Sequence, residues 1–66
     1  MAGVHIEQVE TSRYMLRGTR VVNMWQEETP EGVLRWMVQE EHTRQPEQWK
    51  ILALALASAY HKAGGT

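Results

Sequence analysis

Cysteine is absent from the 66 residues. That removes disulfides and thiolate metal sites as means of holding a small fold together. Long apolar runs are missing too. The one unbroken stretch, Ile51 to Ala57, is seven residues, whereas a membrane span needs roughly 20. Residues 1–7 lack the basic region and long apolar segment of a signal peptide. The expectation is therefore a soluble, cytoplasmic protein without membrane attachment. A large charge excess is lacking as well: the net charge is −1, so bulk electrostatics recommend no partner. There is no internal repeat, low-complexity tract or long linker, and residues 1–66 read as one small domain.

These absences narrow the ways the chain can be stable. A domain of this size buries only about 60% of the surface its unfolded form exposes. Without disulfides, very regular packing or self-association must supply the margin. Hydrophobic content is an ordinary 42%, and three tryptophans argue against wholesale disorder.

Recognised catalytic patterns are also lacking. His5, His42 and His61 form no pair at helical spacing, and there is no HExxH. Ser12 and Ser58 stand in no nucleophile motif, and Gly64-Gly65 follows an apolar segment instead of opening a phosphate-binding helix. The paired glutamates, Glu27-Glu28 and Glu40-Glu41, suit helix ends and solubility. No catalytic residue, cofactor or metal site is assigned, and no enzyme activity is expected.

What is present is an uneven charge distribution. Between Thr11 and Gln26 there are three arginines (Arg13, Arg17, Arg20) and no acid, giving +3, while the rest of the chain carries −4. The same part of the chain is rich in β-formers divided by turn residues. Strands are expected at about 4–9, 13–17 and 20–26, with turns at Glu10-Thr11-Ser12 and Gly18-Thr19. A two-residue Gly18-Thr19 loop would set Arg17 opposite Arg20, Leu16 opposite Val21 and Met15 opposite Val22. Both faces of that hairpin are mixed, and a slip of one residue would exchange them.

Two helices are expected next. Thr29 as N-cap, Pro30 at the first helical position and flanking glutamates announce one over about 30–43. Its apolar set would be Val33, Leu34, Trp36, Met37 and Val38. Pro46 would end it and open a second helix over about 46–62, followed by a flexible tail at 63–66. On a helical wheel Trp49, Leu52, Ala53, Leu56, Ala59 and Tyr60 form the core stripe, with Trp36 and Trp49 read as core. Ile51 and Leu54 fall nearly opposite. Left wet, each would forgo roughly 1.5–3 kcal/mol of burial, which marks them as a candidate oligomer interface.

The expected fold is therefore α+β: a small N-terminal antiparallel β-hairpin or three-stranded meander, then an antiparallel two-helix hairpin. The candidate partner-binding or anion-binding residues are Arg13, Tyr14, Arg17, Arg20 and Trp25. Opposed arginines repel, and an anion lying across them would relieve that. The first functional reading is a small non-enzymatic regulatory protein, a homodimer, binding a protein partner through the basic hairpin or the Ile51/Leu54 face. The alternative is a dimeric nucleic-acid-binding transcriptional regulator with arginine-bearing strands. In support of the latter, Arg20 to Trp25 followed by Thr29-Pro30 resembles the strand and first helix of ribbon-helix-helix repressors. The chain departs from that pattern in its extra N-terminal region, its glycine-free Thr43-Arg44-Gln45 link and its acidic body, so the family is not assigned.

Overall fold

In the computed structural model, residues 3–65 are described. They form β1 (His5–Glu10), β2 (Arg13–Arg17), β3 (Val21–Glu28), β4 (Leu34–Glu40), β5 (Glu47–Trp49) and α1 (Leu52–Lys62). The strands lie in chain order in one antiparallel sheet. α1 packs against β3, β4 and β5. The architecture is α+β in the broad sense, but the expected two-helix hairpin is overturned: residues 34–40 and 47–49 are strands, and among the described residues only 52–62 is α-helical.

The first helix fails for a local reason. Thr29-Pro30-Glu31-Gly32, which suits a helix start, also suits a hairpin turn with proline at the first central position. Here the Gly32 N–H donates to the Thr29 carbonyl (2.8 Å) and Thr29 N–H to the Val33 carbonyl (2.8 Å). Thr29 Oγ1, instead of capping a helix, accepts from Val33 N–H (3.2 Å). Gly32 takes φ +83, a conformation that glycine adopts without steric cost. The strand then alternates: Trp36 and Val38 share the face of Met24, while Arg35, Met37 and Gln39 share that of Trp25. Met37 breaks the apolar/polar alternation, and so the stretch imitates a broad helical arc. The resemblance to ribbon-helix-helix repressors falls with the first helix.

The turn between β2 and β3 is three residues, Gly18 to Arg20, because Arg17 pairs with Val21. Leu16 thus faces Val22, Met15 faces Asn23 and Tyr14 faces Met24. This is one residue away from the expected register, and the difference sorts the side chains. Leu16, Val22 and Met24 are all 0% exposed and meet on one face with Val38 under α1. Burial of one consistent face is what specifies register in a sheet.

α1 has eleven residues, no side-chain N-cap bond at Ile51 and no acid in its first turn. A helix so short is marginal on its own; packing holds it. Ala55, Ala59 and Ala63, each 0% exposed, form the line that touches the sheet. Leu52 and Leu56 pack beside it, whereas Ala53 and Tyr60, expected in the core stripe, are exposed. Small residues along the contact line let the helix approach closely. At the C-terminus Gly64 N–H donates to His61 O (3.1 Å) and Gly65 N–H to Tyr60 O (2.9 Å), with Gly64 at φ +110: a Schellman ending. Arg20 N–H donates to Ala63 O (3.1 Å), tying the β2–β3 turn to the helix end. A Cβ on Gly18 would strike Ala63 O. Of the expected flexible tail, Ala63 and Gly65 are buried; Thr66 lies outside the described residues.

Candidate partner-binding face

α1 covers one side of the sheet only. Among the described residues, no element packs on the other side. Strand alternation places on that open side Arg13, Met15 and Arg17 from β2, Val21, Asn23, Trp25 and Glu27 from β3, and Arg35, Met37 and Gln39 from β4. Trp25 and Met37 are direct cross-strand partners, flanked by Arg13 and Gln48 in the same row. Met37 is only 7% exposed, although no element lies above it. Met15 and Trp25 are half-buried, and Arg13 and Arg17 are exposed. A tryptophan beside two methionines offers a large, adaptable apolar contact.

The electrostatics of this face are mixed. Trp25 Nε1 donates to Glu27 Oε2 (2.7 Å), and Arg13 Nε lies 3.8 Å from Glu10 Oε2. Glu7 stands opposite Met15 and Glu10 opposite Arg13. Arg17 Nε donates to Met15 Sδ (3.2 Å), which holds its guanidinium beside the methionine on this face. The face is thus an apolar centre with arginines and glutamates interspersed around it.

The fold brings together three of the five residues singled out from sequence: Arg13, Arg17 and Trp25. Tyr14 points to the helix side, where its ring lies 6.0 Å from that of Trp36 at a tilt of 53°. Arg20 sits in the turn with its Nε 3.4 Å from Glu40 Oε1. Arg17 faces Val21, so the opposed arginine pair and the anion it would attract do not form. Met37 and Arg35 belong to the open face yet escape a reading confined to the β2–β3 hairpin, and Met15, which lies in that hairpin, carries no charge or aromatic ring to single it out. A second hairpin, β3–β4, had to be recognised first.

Ile51 and Leu54 lie at the start of α1, 58% and 49% exposed. Continuing the β4–β5 register past Trp36↔Trp49 by two places sets Leu34, 55% exposed, beside Ile51. These side chains lie at the end of the sheet remote from the Gly18–Arg20 turn.

The strongest polar cluster is structural. Glu47 Oε1 accepts from Trp49 Nε1 (3.0 Å) and Ser58 Oγ (2.8 Å), and Oε2 pairs with Lys62 Nζ at 2.9 Å. One carboxylate thereby clamps β5 to the outer half of α1. Partial burial alone would raise its pKa. The bonds from Lys62, Ser58 and Trp49, with the Lys62 charge, outweigh that and hold it below the ordinary carboxylate value. A hollow between the β2–β3 turn and the β4–β5 loop is lined by Arg20, Glu40, Glu41, His42 and Thr43, and the Arg20–Glu40 pair occupies its charged side. Among the described residues, no group of three or more potential ligands converges to hold a metal ion, and no helix is long and apolar enough to cross a membrane.

Compared with protein families, curated proteins and solved structures, the chain matches none of them.

Proposed function

We propose that this is a small, non-enzymatic interaction protein that binds and modulates a protein partner through the helix-free face of its sheet, and that it works as a homodimer in the cytoplasm. The observation carrying the reading is the pairing of Trp25 with Met37 at the centre of an uncovered face, with Arg13, Arg17 and Arg35 around it. A two-layer domain hides the apolar face of its sheet; a tryptophan kept on the other side is a contact awaiting a partner, and tryptophan and arginine dominate binding hot spots. The partner's matching chemistry is a short apolar segment whose few carboxylates need meet only Arg13, Arg17 and Arg35, whereas a phosphate backbone is charged at every nucleotide and would also meet the glutamates of this face. Ser58, Lys62 and Trp49 occupy the Glu47 carboxylate, which supports a structural role for it.

The nucleic-acid reading has the same arginines in its favour. Against it, Glu7, Glu10 and Glu27 share their face and would repel a phosphate backbone.

The three tryptophan indole N–H signals provide the test. Isotope-labelled protein would be titrated with a synthetic peptide alternating leucine and glutamate, and separately with oligo-dT. The peptide should move the Trp25 signal and leave Trp36 and Trp49 in place, and Met37→Lys should abolish the response. Peptide-induced shifts at Trp36 and Trp49 alone would refute the assigned face. Binding of oligo-dT that weakens steeply with salt would instead establish the nucleic-acid reading.

A further inference from the structure

The two edges of the sheet are unlike. β5 is three residues long, follows Pro46 and runs directly into the bend before α1, so it offers little ladder to another chain. β1 has six residues, all exposed. One side of it pairs with β2, and the other is a free edge of the sheet. α1 packs on β3 to β5, which leaves the helix side of β1 open. There Ile6, whose cross-strand partner Leu16 is fully buried, is itself 47% exposed. Long open edges usually carry a blocking lysine, proline or inward charge. β1 has neither lysine nor proline, and its irregularity is confined to Gln8–Glu10 at the far end.

We infer that the occupant of this edge is β1 of a second copy, paired antiparallel about a two-fold axis through Ile6; this rests on the homodimer reading above. The choice of register follows from the side chains. An axis normal to the sheet keeps each face on its own side, so only registers centred on a residue align like faces. Centring on Glu7 opposes two carboxylates, and centring on Gln8 sets Ile6 against Glu10 and involves the bulge. Centring on His5 pairs two imidazoles and leaves Ile6 against Val4. Centring on Ile6 sets Ile6 against Ile6, His5 against Glu7 and Val4 against Gln8, and it uses only the regular part of the strand. The apolar side chain meets its own copy, and the imidazole meets a carboxylate on the opposite face. The two five-stranded sheets then run on as one, with both helices on the same side.

A ladder this short buries less than the roughly 1,000 Å² of a stable interface, so the association is concentration-dependent. Sedimentation over a wide concentration range, with amide exchange of residues 4–8, tests it. Wild type should pass from monomer to dimer, and the β1 amides should gain protection as it does. Ile6→Glu should abolish dimerisation. Glu7→Lys, on an exposed position that leaves the fold intact, should weaken it up to about tenfold, since each cross-strand pair occurs twice. Adding His5→Glu to Glu7→Lys should restore it. A dimer indifferent to Glu7→Lys overturns the register. A dimer lost in Leu54→Glu but kept in Ile6→Glu overturns the edge while leaving the homodimer reading intact. A monomer at every concentration overturns both.

Discussion

Replacing Leu16 and Met15 in turn by alanine is a sharp test of how the sheet is sided, because the two are neighbours in the chain and point to opposite faces. Leu16 is 0% exposed, within the cluster of Val22, Met24, Val38, Ala55 and Ala59. Removing its side chain forfeits the transfer term and leaves a cavity roofed by α1, so the loss should be about 3 kcal/mol within the usual range of roughly 2–5. Total stability for a chain this long is on the order of 3–10 kcal/mol, and Leu16→Ala therefore removes a large share of it. With about 4–8 °C lost per kcal/mol in small domains, the melting midpoint should fall by roughly 12–24 °C. Met15 is half-buried on the face that nothing covers, and a truncation there leaves a dent that water fills. Met15→Ala should cost about 1 kcal/mol or less. Urea unfolding of both variants, followed by circular dichroism, reads the difference. If Met15→Ala proved as damaging as Leu16→Ala, the assigned faces, and with them the three-residue Gly18–Arg20 turn, would be wrong.

Other perturbations test other parts of the fold. Ala59→Leu should overpack the helix–sheet contact and cost about 1–3 kcal/mol in urea unfolding, while Ala57→Leu, on the exposed side of α1, should be near neutral. Gly32→Ala, at φ +83, should destabilise by about 1 kcal/mol, and His42→Gly, at φ +80, should stabilise by a similar amount if its side chain contributes nothing else, both read as shifts in melting temperature. Because the Glu47 pKa is lowered on folding, its contribution is fully present above the unfolded carboxylate value of 4.5 and fades as pH falls through the lower folded value. Glu47→Gln should therefore lower the urea midpoint at pH 7 and show a shallower further loss on acidification than wild type; parallel pH profiles would refute the clamp.

The sequence made half of this architecture legible. The first three strands were marked by β-formers separated by Glu10-Thr11-Ser12 and the glycine at 18, and the apolar run at 51–57 was helical by composition from Leu52 onward. The fourth strand was hidden because its signals are shared between two structures. Thr29-Pro30 can cap a helix or begin a turn, and Met37 added an apolar residue on the outer face where alternation required a polar one. The fifth strand is three residues, too short to show a period. Arg13, Arg17 and Trp25 could be singled out by type, but whether they shared a face depended on a one-residue choice of turn length. Only the burial of Leu16, Val22 and Met24 together decides that choice, and burial is a tertiary property. The exposure of Leu54 follows from its phase on α1, whereas Ile51 is exposed in extended backbone just before the helix, where a wheel has no bearing.

Every strand of the sheet is hydrogen-bonded to the one before it in the chain, and the helix that covers the sheet comes after all of them. Pairing can therefore proceed hairpin by hairpin as the chain is synthesised, each closure spanning only a short loop. The cover arrives last. Until residues 52–62 are free to fold, a nearly finished sheet presents Leu16, Val22, Met24 and Val38 to water on one side, while Trp25 stays half-buried on the face that is never covered. For that interval the molecule is a sheet with neither face covered, and its exposure to aggregation lasts as long as the eleven-residue helix that follows the strands takes to dock.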